Sequence, residues 1–188
     1  MPENKVKFGL KKCYYAVITE GEGGAFTYGT PVAIPGAVSL AANKSGDSEA
    51  FEADDKDFWV VSSAQYDITL EVAKLPESFF TDVLVYDADA KGVLWESGAE
   101  CKRIALLFEQ NGDQKATRYA FLNCLPSLPN VEAETSKKKT PKPTSISMVA
   151  TEDPDGRTLA FSKSDTDATT YNGWFTTVPT YTASAQGS

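Results

Sequence analysis

The sequence predicts a mainly β protein, an antiparallel β-sandwich or open barrel with one short flanking α-helix. Three observations favour this class: many Thr, Val, Tyr and Phe residues, short runs of alternating apolar and polar residues, and turn signals between those runs. The chain has 188 residues, of which 41% are hydrophobic, enough for one domain with its own core. We expect a single domain over residues 1–182 with N- and C-terminal arms, and a flexible tail over 183–188.

The first half of the chain begins with a predicted strand over residues 13–19, followed by a glycine-rich turn. A second apolar segment covers residues 30–40, where Pro35 and Gly36 predict a bend. The apolar residues expected to share one side of this segment are Val32, Ile34, Val38 and Leu40. Residues 41–57 are small and acidic, which predicts a long loop.

Residues 58–74 carry the clearest alternation in the chain, and they predict one strand. One parity is apolar and contains Phe58, Val60, Ala64, Tyr66, Ile68, Leu70 and Val72. The other parity is polar and contains Gln65, Asp67, Thr69 and Glu71. The pattern therefore indicates one dry face and one wet, partly anionic face.

The second half contains the predicted helix and two predicted hairpins. After Pro76, the apolar residues of 77–84 have helical spacing, so this helix should cap an end or face of the sheet. Residues 103–110 and 115–124 flank Asn111-Gly112-Asp113, a hairpin signal. Residues 144–151 alternate, and the turn after them predicts a second hairpin into 158–161. The aromatic residues Tyr171, Trp174, Phe175 and Tyr181 lie in a polar C-terminal region, which predicts an arm that contacts a neighbouring subunit.

Composition lowers the expectation of an enzyme or a phosphate-binding protein. The chain has no histidine and a formal charge of −8, from 18 basic and 26 acidic residues. Asp67 and Glu71 share a strand face without an apolar pocket that would raise the pKa of a catalytic acid. We therefore expect no catalytic residues and no cofactor. Three cysteines without close spacing do not indicate a disulfide framework, and no apolar run is long enough to cross a membrane.

Two acidic clusters are weak candidates for cation sites. Residues 87–92 begin like a calcium loop, but Lys91 and Gly98 occupy positions where ligands belong, so an ordinary turn is expected. The acids at 54, 55 and 57 are expected to be solvated, and no metal site is predicted. The run Lys137-Lys138-Lys139 is either a solvated loop or a surface facing the acidic loop of another copy. The three tryptophans Trp59, Trp95 and Trp174 are expected in the core or in subunit contacts.

The order of segments resembles the phage major tail protein (tail tube protein) family of the phi13 type, found in siphophages and prophages of Gram-positive bacteria. The resemblance covers about residues 4–182 and is carried by KVKFGLKKCYYAV, GTPVAIPGAVSL, VAKLPESFFTDVL, ALLFEQNGDQKATRYAFLNC, DGRTLAF and WFTTV. It implies a virion protein, made in the host cytoplasm, that forms hexameric rings. These rings stack into a tail tube through which double-stranded DNA passes without specific binding. Its implied partners are further copies of itself, the tape measure protein, and the tail terminator or distal tail proteins.

The resemblance also assigns roles to particular residues. The implied lumen-lining residues are Gln65, Asp67, Thr69 and Glu71. The implied candidates for inter-ring contacts are Asp47, Glu49, Phe51, Glu52, Asp54, Asp55 and Asp57 in the 41–57 loop, and Lys137, Lys138 and Lys139. That these two regions face each other is a separate hypothesis, based on their opposite charges. A negative lumen repels phosphates, which favours low friction for DNA.

Two other functions remain open from the sequence. A tube of a secretion or contractile injection system would use the same ring stacking but would move protein. A monomeric β-sandwich binding module would use a tryptophan as a sugar platform and would stay monomeric at high concentration.

Overall fold

A large antiparallel sheet forms most of the protein. The computed structural model describes residues 7–45, 48–53, 56–61, 65–112, 114–131 and 142–183. In chain order, the elements are β1 Lys7–Glu20, a 3-10 turn Glu22–Gly24, β2 Phe26–Tyr28, β3 Val32–Ala33, β4 Ala37–Lys44, β5 Ser48–Ala53, β6 Lys56–Val61, β7 Tyr66–Val72, α1 Glu77–Asp82, β8 Asp87–Ala88, β9 Leu94–Trp95, β10 Ile104–Gly112, β11 Thr117–Pro126, β12 Thr144–Ala150, β13 Leu159–Phe161 and α2 Ala168–Gly173. The predicted mainly β fold class is confirmed.

The main sheet curls into an open barrel. Its strand order is β2-β1-β10-β11-β12-β7-β4, with β3 on the edge of β1 and β13 on the edge of β11. Strand β3 lies beside β1 near one edge, and β4 forms the other edge, yet only residues 34–36 separate them in the chain. The two edges must therefore approach each other. Glu109 pairs with Arg118 across β10 and β11, so the hairpin predicted around Asn111 and Gly112 is confirmed.

The core fills the inside of the curled sheet. Strands β1, β7, β10, β11 and β12 each contribute alternate residues to it, as the period of two in a strand requires. Its buried strand residues include Cys13, Tyr15, Ile68, Leu70, Val72, Ile104, Leu106, Phe121, Ile146 and Met148. Burial of each large apolar side chain contributes about 1.5–3 kcal/mol, so this cluster is the main source of stability.

Helix α1 closes one end of the barrel. Phe79, Val83 and Leu84 are buried in the core, and the Phe79 ring meets the Tyr15 ring edge-on at 5.1 Å. The Tyr15 hydroxyl also donates to Asp82 of the same helix at 3.2 Å. The predicted helix and its capping role are confirmed.

A second helix, α2, was not predicted from the sequence. The Asp167 carboxylate caps it by accepting a hydrogen bond from the Thr170 amide at 2.8 Å. The segment that contains α2 packs on the outer face of β1, β10 and β11. There, a second apolar cluster contains Ala16, Ala105, Leu107, Ala120, Leu122, Trp174 and Val178.

The predicted long loop at 41–57 is largely β-structure. Residues 41–44 continue β4, and β5 pairs with β6 in a separate two-stranded sheet, which we call the β5–β6 hairpin. The single strand predicted over 58–74 is likewise wrong, because β6 ends at Val61 and β7 begins at Tyr66. Strand β5 was not predicted because its acidic and small residues have low β-propensity. It forms by pairing with β6, the next strand in the chain.

The predicted bend at Pro35 and Gly36 is confirmed, because β3 and β4 are separate strands on either side of it. Gly36 adopts a positive φ of 76° there. The expected sidedness of this segment is wrong, since Ile34 is buried whereas Val32 and Val38 are exposed. The bend changes the parity of the chain, which a straight-strand pattern does not anticipate.

Strand β11 offers one edge to two different strands. Residues 119–121 pair with β13, and residues 124–126 pair with β12. The predicted hairpin between β12 and β13 is therefore wrong, although the turn at Asp153 is present. The buried Asn123 amide stands at the junction, and it donates to the Thr151 hydroxyl at 2.9 Å and to the Glu152 carbonyl at 2.8 Å.

Candidate functional site

The outer face of β4, β7 and β12 is a continuous polar surface, which we call the polar sheet face. Cross-strand pairing places three rows side by side on it. The rows are Ser39, Glu71 and Ser145; Ala41, Thr69 and Ser147; and Asn43, Asp67 and Val149. All of these residues are exposed except Glu71, which is half-buried.

The charge on the polar sheet face is negative. Asp67 and Glu71 are its charged residues, and none of the positions in its three rows holds a lysine or arginine. The Glu71 carboxylate accepts a hydrogen bond from the Ser39 hydroxyl at 2.7 Å, which fixes its orientation across the strands. A wall with these groups repels anions such as phosphate, and its short side chains leave the surface smooth.

The ends of the polar sheet face differ from its middle. Val149 pairs with Leu125 of β11, and the two are 36% and 40% exposed, so an apolar strip borders the face beside Asp67. Near Glu71, an open depression of about 570 Å³ is lined by residues that include Lys142 and Ser127. The face is therefore a polar band with one apolar margin.

Three of the four residues expected to line a lumen fall on this face, and the fourth, Gln65, directly precedes β7. Asp67 and Thr69 are exposed, and Gln65 and Glu71 are half-buried, whereas Ile68 and Leu70 between them are buried. The parity predicted for this part of the strand is confirmed. Its placement in a lumen stays a prediction.

The residues expected to form inter-ring contacts lie in part on the β5–β6 hairpin, and their role stays a prediction. Glu49, Phe51, Glu52 and Asp57 lie on the strands of the β5–β6 hairpin. The remaining members, Asp47, Asp54, Asp55, Lys137, Lys138 and Lys139, lie outside the described residues.

The residues predicted for a C-terminal arm are mostly occupied within their own chain. Trp174 is buried in the outer cluster, with its indole N–H donating to the Tyr119 carbonyl at 3.2 Å. Tyr171 and Phe175 are half-buried on the same surface. Trp174 therefore packs within its own subunit, and the expected subunit contact of the C-terminal segment stays a prediction. Tyr181 is 64% exposed, and its role in a subunit contact stays a prediction.

A buried ion pair fastens this C-terminal segment. The Arg118 guanidinium lies 2.8 Å from the Glu109 carboxylate, and both side chains are buried. Arg118 also donates to the Tyr171 carbonyl and stacks 3.8 Å from the centroid of the Tyr171 ring. The Lys12 ammonium approaches Glu109 at 3.6 Å from the solvent side. One arginine thus links the β10–β11 hairpin to the segment that covers it.

Sequence reasoning missed this ion pair, because the turn predicted from the sequence gives another register. A turn centred on residues 111–113 pairs position 109 with position 115, whereas the structure pairs Glu109 with Arg118. An acid opposite an arginine predicts an ion pair only when the register is known. Its burial could not be predicted, because the covering segment comes from residues more than fifty positions later in the chain.

The calcium-like segment is an ordinary turn. One Asp89 oxygen accepts hydrogen bonds from the amides of Lys91 and Val93, and the other accepts from the Trp95 indole. The bonds from Val93 and Trp95 lower the pKa of Asp89. Within the described ranges, no group of three or more His, Cys, Asp or Glu residues is arranged to hold a metal ion.

The cysteines are free thiols, as the sequence predicted. Cys13 and Cys124 are buried and Cys101 is half-buried. Burial raises the pKa of Cys13 to about 12, and it also raises the pKa of Cys124. Among the described residues there is no helix with the length and hydropathy needed to span a membrane.

Comparison with known proteins finds similarity of shape to two solved structures. One is described as the anti-feeding prophage cap, a tube-terminating cap, with 9% identity, a TM-score of 0.45, and coverage of 80% of this chain and 88% of that one. The other is the anti-feeding prophage baseplate, six-fold symmetrised, with 8% identity, a TM-score of 0.44, and coverage of 86% and 97%. No family model and no curated protein sequence matches the chain.

Proposed function

We propose that this chain is a structural subunit of a phage tail tube that assembles from identical copies into stacked rings around a channel. The observation that carries the proposal is the polar sheet face, whose three rows contain two carboxylates and short polar side chains but no lysine or arginine. Such a face is suited to line a channel for a polyanion, because its rows repel phosphates and offer them no basic group.

The finer features of the proposal follow the resemblance described above. The rings are hexameric, the cargo is double-stranded DNA, and the subunit has no enzymatic activity. Its place is the tail of a siphophage or prophage particle, where it meets the tape measure protein and the terminator or distal tail proteins. Asp67, Thr69 and Glu71 then face the channel, with Gln65 at its margin.

A labelling experiment tests the orientation of the polar sheet face. Thr69→Cys is made on a Cys101→Ser background, since the other two thiols are buried. The matched control is Thr177→Cys, at an exposed position of the C-terminal segment. Each variant is treated with a small maleimide and with a polymer-linked maleimide, before and after assembly at high concentration.

The expected result is selective protection. In the unassembled chain, both variants react with both reagents. In assembled tubes, Thr69→Cys reacts with the small reagent but is protected from the polymer, whereas Thr177→Cys keeps reacting with both. A chain that stays monomeric at high concentration by light scattering and negative-stain microscopy overturns the proposal, and so does full polymer labelling of Thr69→Cys within tubes.

A further inference from the structure

A cleft of about 340 Å³ lies at the β2 edge of the main sheet, and we call it the C-terminal cleft. Three separate stretches of the chain line it: residues 23–28, the turn at residues 153–155 and the C-terminal residues 179–181. The buried side chain of Leu122 on β11 also lines it. Concave sites of this volume are typical of pockets that bind small ligands.

Aromatic rings form walls of the C-terminal cleft. Phe26 and Tyr28 are two positions apart on β2, so their half-buried side chains lie on the same side of this strand. Tyr181 contributes a third ring, and the Arg157 guanidinium holds that ring in place by stacking 3.9 Å from its centroid. The face of an aromatic ring carries partial negative charge, so these walls favour a cation.

Two carboxylates on the 153–155 turn make the cleft acidic. One Asp153 oxygen accepts hydrogen bonds from the amides of Asp155 at 3.0 Å and Arg157 at 2.8 Å, which fixes the orientation of the carboxylate. Asp155 forms an ion pair with Arg157 at 2.9 Å, whereas Asp153 forms none with any described residue. The described residues that line the cleft include no lysine or arginine. The negative charge of Asp153 is therefore not balanced within the cleft.

The pKa of Tyr28 reflects this charge. Burial raises the pKa of Tyr28 to about 12, and the nearby negative charges of Asp153 and Asp155 contribute to the rise. Surroundings that oppose a phenolate also oppose other anions and favour cations. The charge thus selects against an anionic ligand.

The remaining lining of the cleft is largely apolar. Leu122 is 5% exposed, and Pro154 and Pro179 line the cleft beside it. These surfaces favour the methylene groups of an alkyl chain, which lose contact with water when they pack there. A neutral sugar would stack on the rings equally well, but it would leave the charge of Asp153 unbalanced. Aromatic, apolar and anionic groups together match an alkyl chain that ends in an ammonium group.

We propose that the C-terminal cleft binds an alkylammonium ion, with the ammonium group at Asp153 and the alkyl chain against the rings of Tyr28 and Tyr181. Free amines and lysine side chains share this chemistry. The site is formed within one chain, so it goes beyond the proposed function and does not depend on assembly.

A nuclear magnetic resonance titration of the full-length, 15N-labelled chain tests this site. The probes are n-butylammonium, its neutral analogue n-butanol and Nα-acetyl-lysine amide, each at constant ionic strength. We expect n-butylammonium to shift the amide signals of Asp155, Gly156 and Arg157 saturably, with a Kd of about 1 mM. n-Butanol should bind at least about tenfold more weakly, because it carries no charge for Asp153. Tighter binding of the lysine amide than of n-butylammonium would indicate a peptide as the source of the ammonium group, and weaker binding would indicate a free amine.

Two variants locate the binding in the cleft. Asp153→Asn keeps an oxygen for the two amide hydrogen bonds but removes the charge, so we expect the Kd for n-butylammonium to rise about tenfold. Tyr181→Ser removes a ring that is 64% exposed, which should raise the Kd about threefold without affecting the fold measured by circular dichroism.

Matched controls lie outside the cleft. Asp165→Asn removes another exposed acid and Phe161→Ser another exposed ring, and both should leave the Kd unchanged. Shifts that do not saturate, equal binding of n-butanol, or an unchanged Kd in both Asp153→Asn and Tyr181→Ser would each overturn the proposal. None of these results bears on the proposed function, which is tested by assembly.

Discussion

At the scale of single residues, the Arg118–Glu109 pair shows how one charged contact organises a region. Both side chains are buried, and the guanidinium also bonds and stacks with Tyr171. A buried charge is stable only when its partner is present, because the interior does not solvate it. The pair therefore fixes the position of the C-terminal segment on the sheet.

We predict that Arg118→Met lowers the free energy of unfolding by about 3–5 kcal/mol, because Glu109 loses its buried partner. Urea unfolding at neutral pH measures this change. The double variant Arg118→Met/Glu109→Met should regain a large part of the loss, since the uncompensated charge is gone. Lys163→Met is the surface control: Lys163 contacts Asp165 at 3.4 Å, both side chains are exposed, and we expect a change within about 1 kcal/mol. Equal losses in the Arg118 and Lys163 variants would contradict this account.

At the scale of elements, the sequence predicted the structures that depend on neighbouring residues, and it did not predict the contacts between distant parts of the chain. The helix after Pro76 and the hairpin at Asn111 were predicted, because spacing and turn residues are encoded within a few positions. The alternation around Asp67 and Thr69 predicted the polar parity of the candidate site for the same reason. Pairing of β13 with β11 could not be predicted, since it depends on which of two edges the returning chain meets. The burial of Trp174 likewise depends on a sheet formed by distant strands.

The Pro35–Gly36 bend gives a prediction at this scale. A Cβ atom at position 36 would lie 3.2 Å from the Ala73 Cβ, and the φ of 76° disfavours any L-residue. Gly36→Ala should therefore destabilise the protein by about 1–2 kcal/mol from the backbone alone, with a further loss from the contact. Gly98→Ala is the matched control, because its φ is 68° and no atom lies within 4 Å of its added Cβ. Thermal unfolding of both variants measures the difference between their losses of stability. Equal decreases in Tm would show that the contact between the added methyl group at position 36 and Ala73 does not destabilise the protein.

At the scale of the whole molecule, the fold is a barrel closed at one end by α1 and covered on one outer side by the C-terminal segment. This arrangement leaves the polar sheet face as a large exposed surface of distinct character. It also shields Cys13 and Cys124 within one cooperative core, so their titration reports on global unfolding.

We predict that stability falls as pH rises above about 9. Burial raises the pKa of Cys13 from 9.0 to about 12, so the folded protein keeps a proton that the unfolded chain releases. The stabilisation is complete below pH 9 and is lost between pH 9 and 12, at about 1.4 kcal/mol per pH unit for each such thiol. Urea unfolding between pH 8 and 10 measures the slope, and Cys13→Ala should reduce it. Cys101→Ser should reduce the slope less than Cys13→Ala, because Cys101 is only half-buried and burial raises its pKa by a smaller amount. A pH-independent stability would contradict the prediction.

The shared edge of β11 has a practical consequence. Strands β12 and β13 pair with different residues of β11, so the loop between them connects two strands that are each held by their own hydrogen bonds. Pro154 and Asp155 are exposed in this loop. A longer loop would therefore disturb neither strand pairing. A short epitope or a fluorophore-binding tag grafted between Pro154 and Asp155 should therefore leave the barrel intact, and it would allow the protein to be imaged.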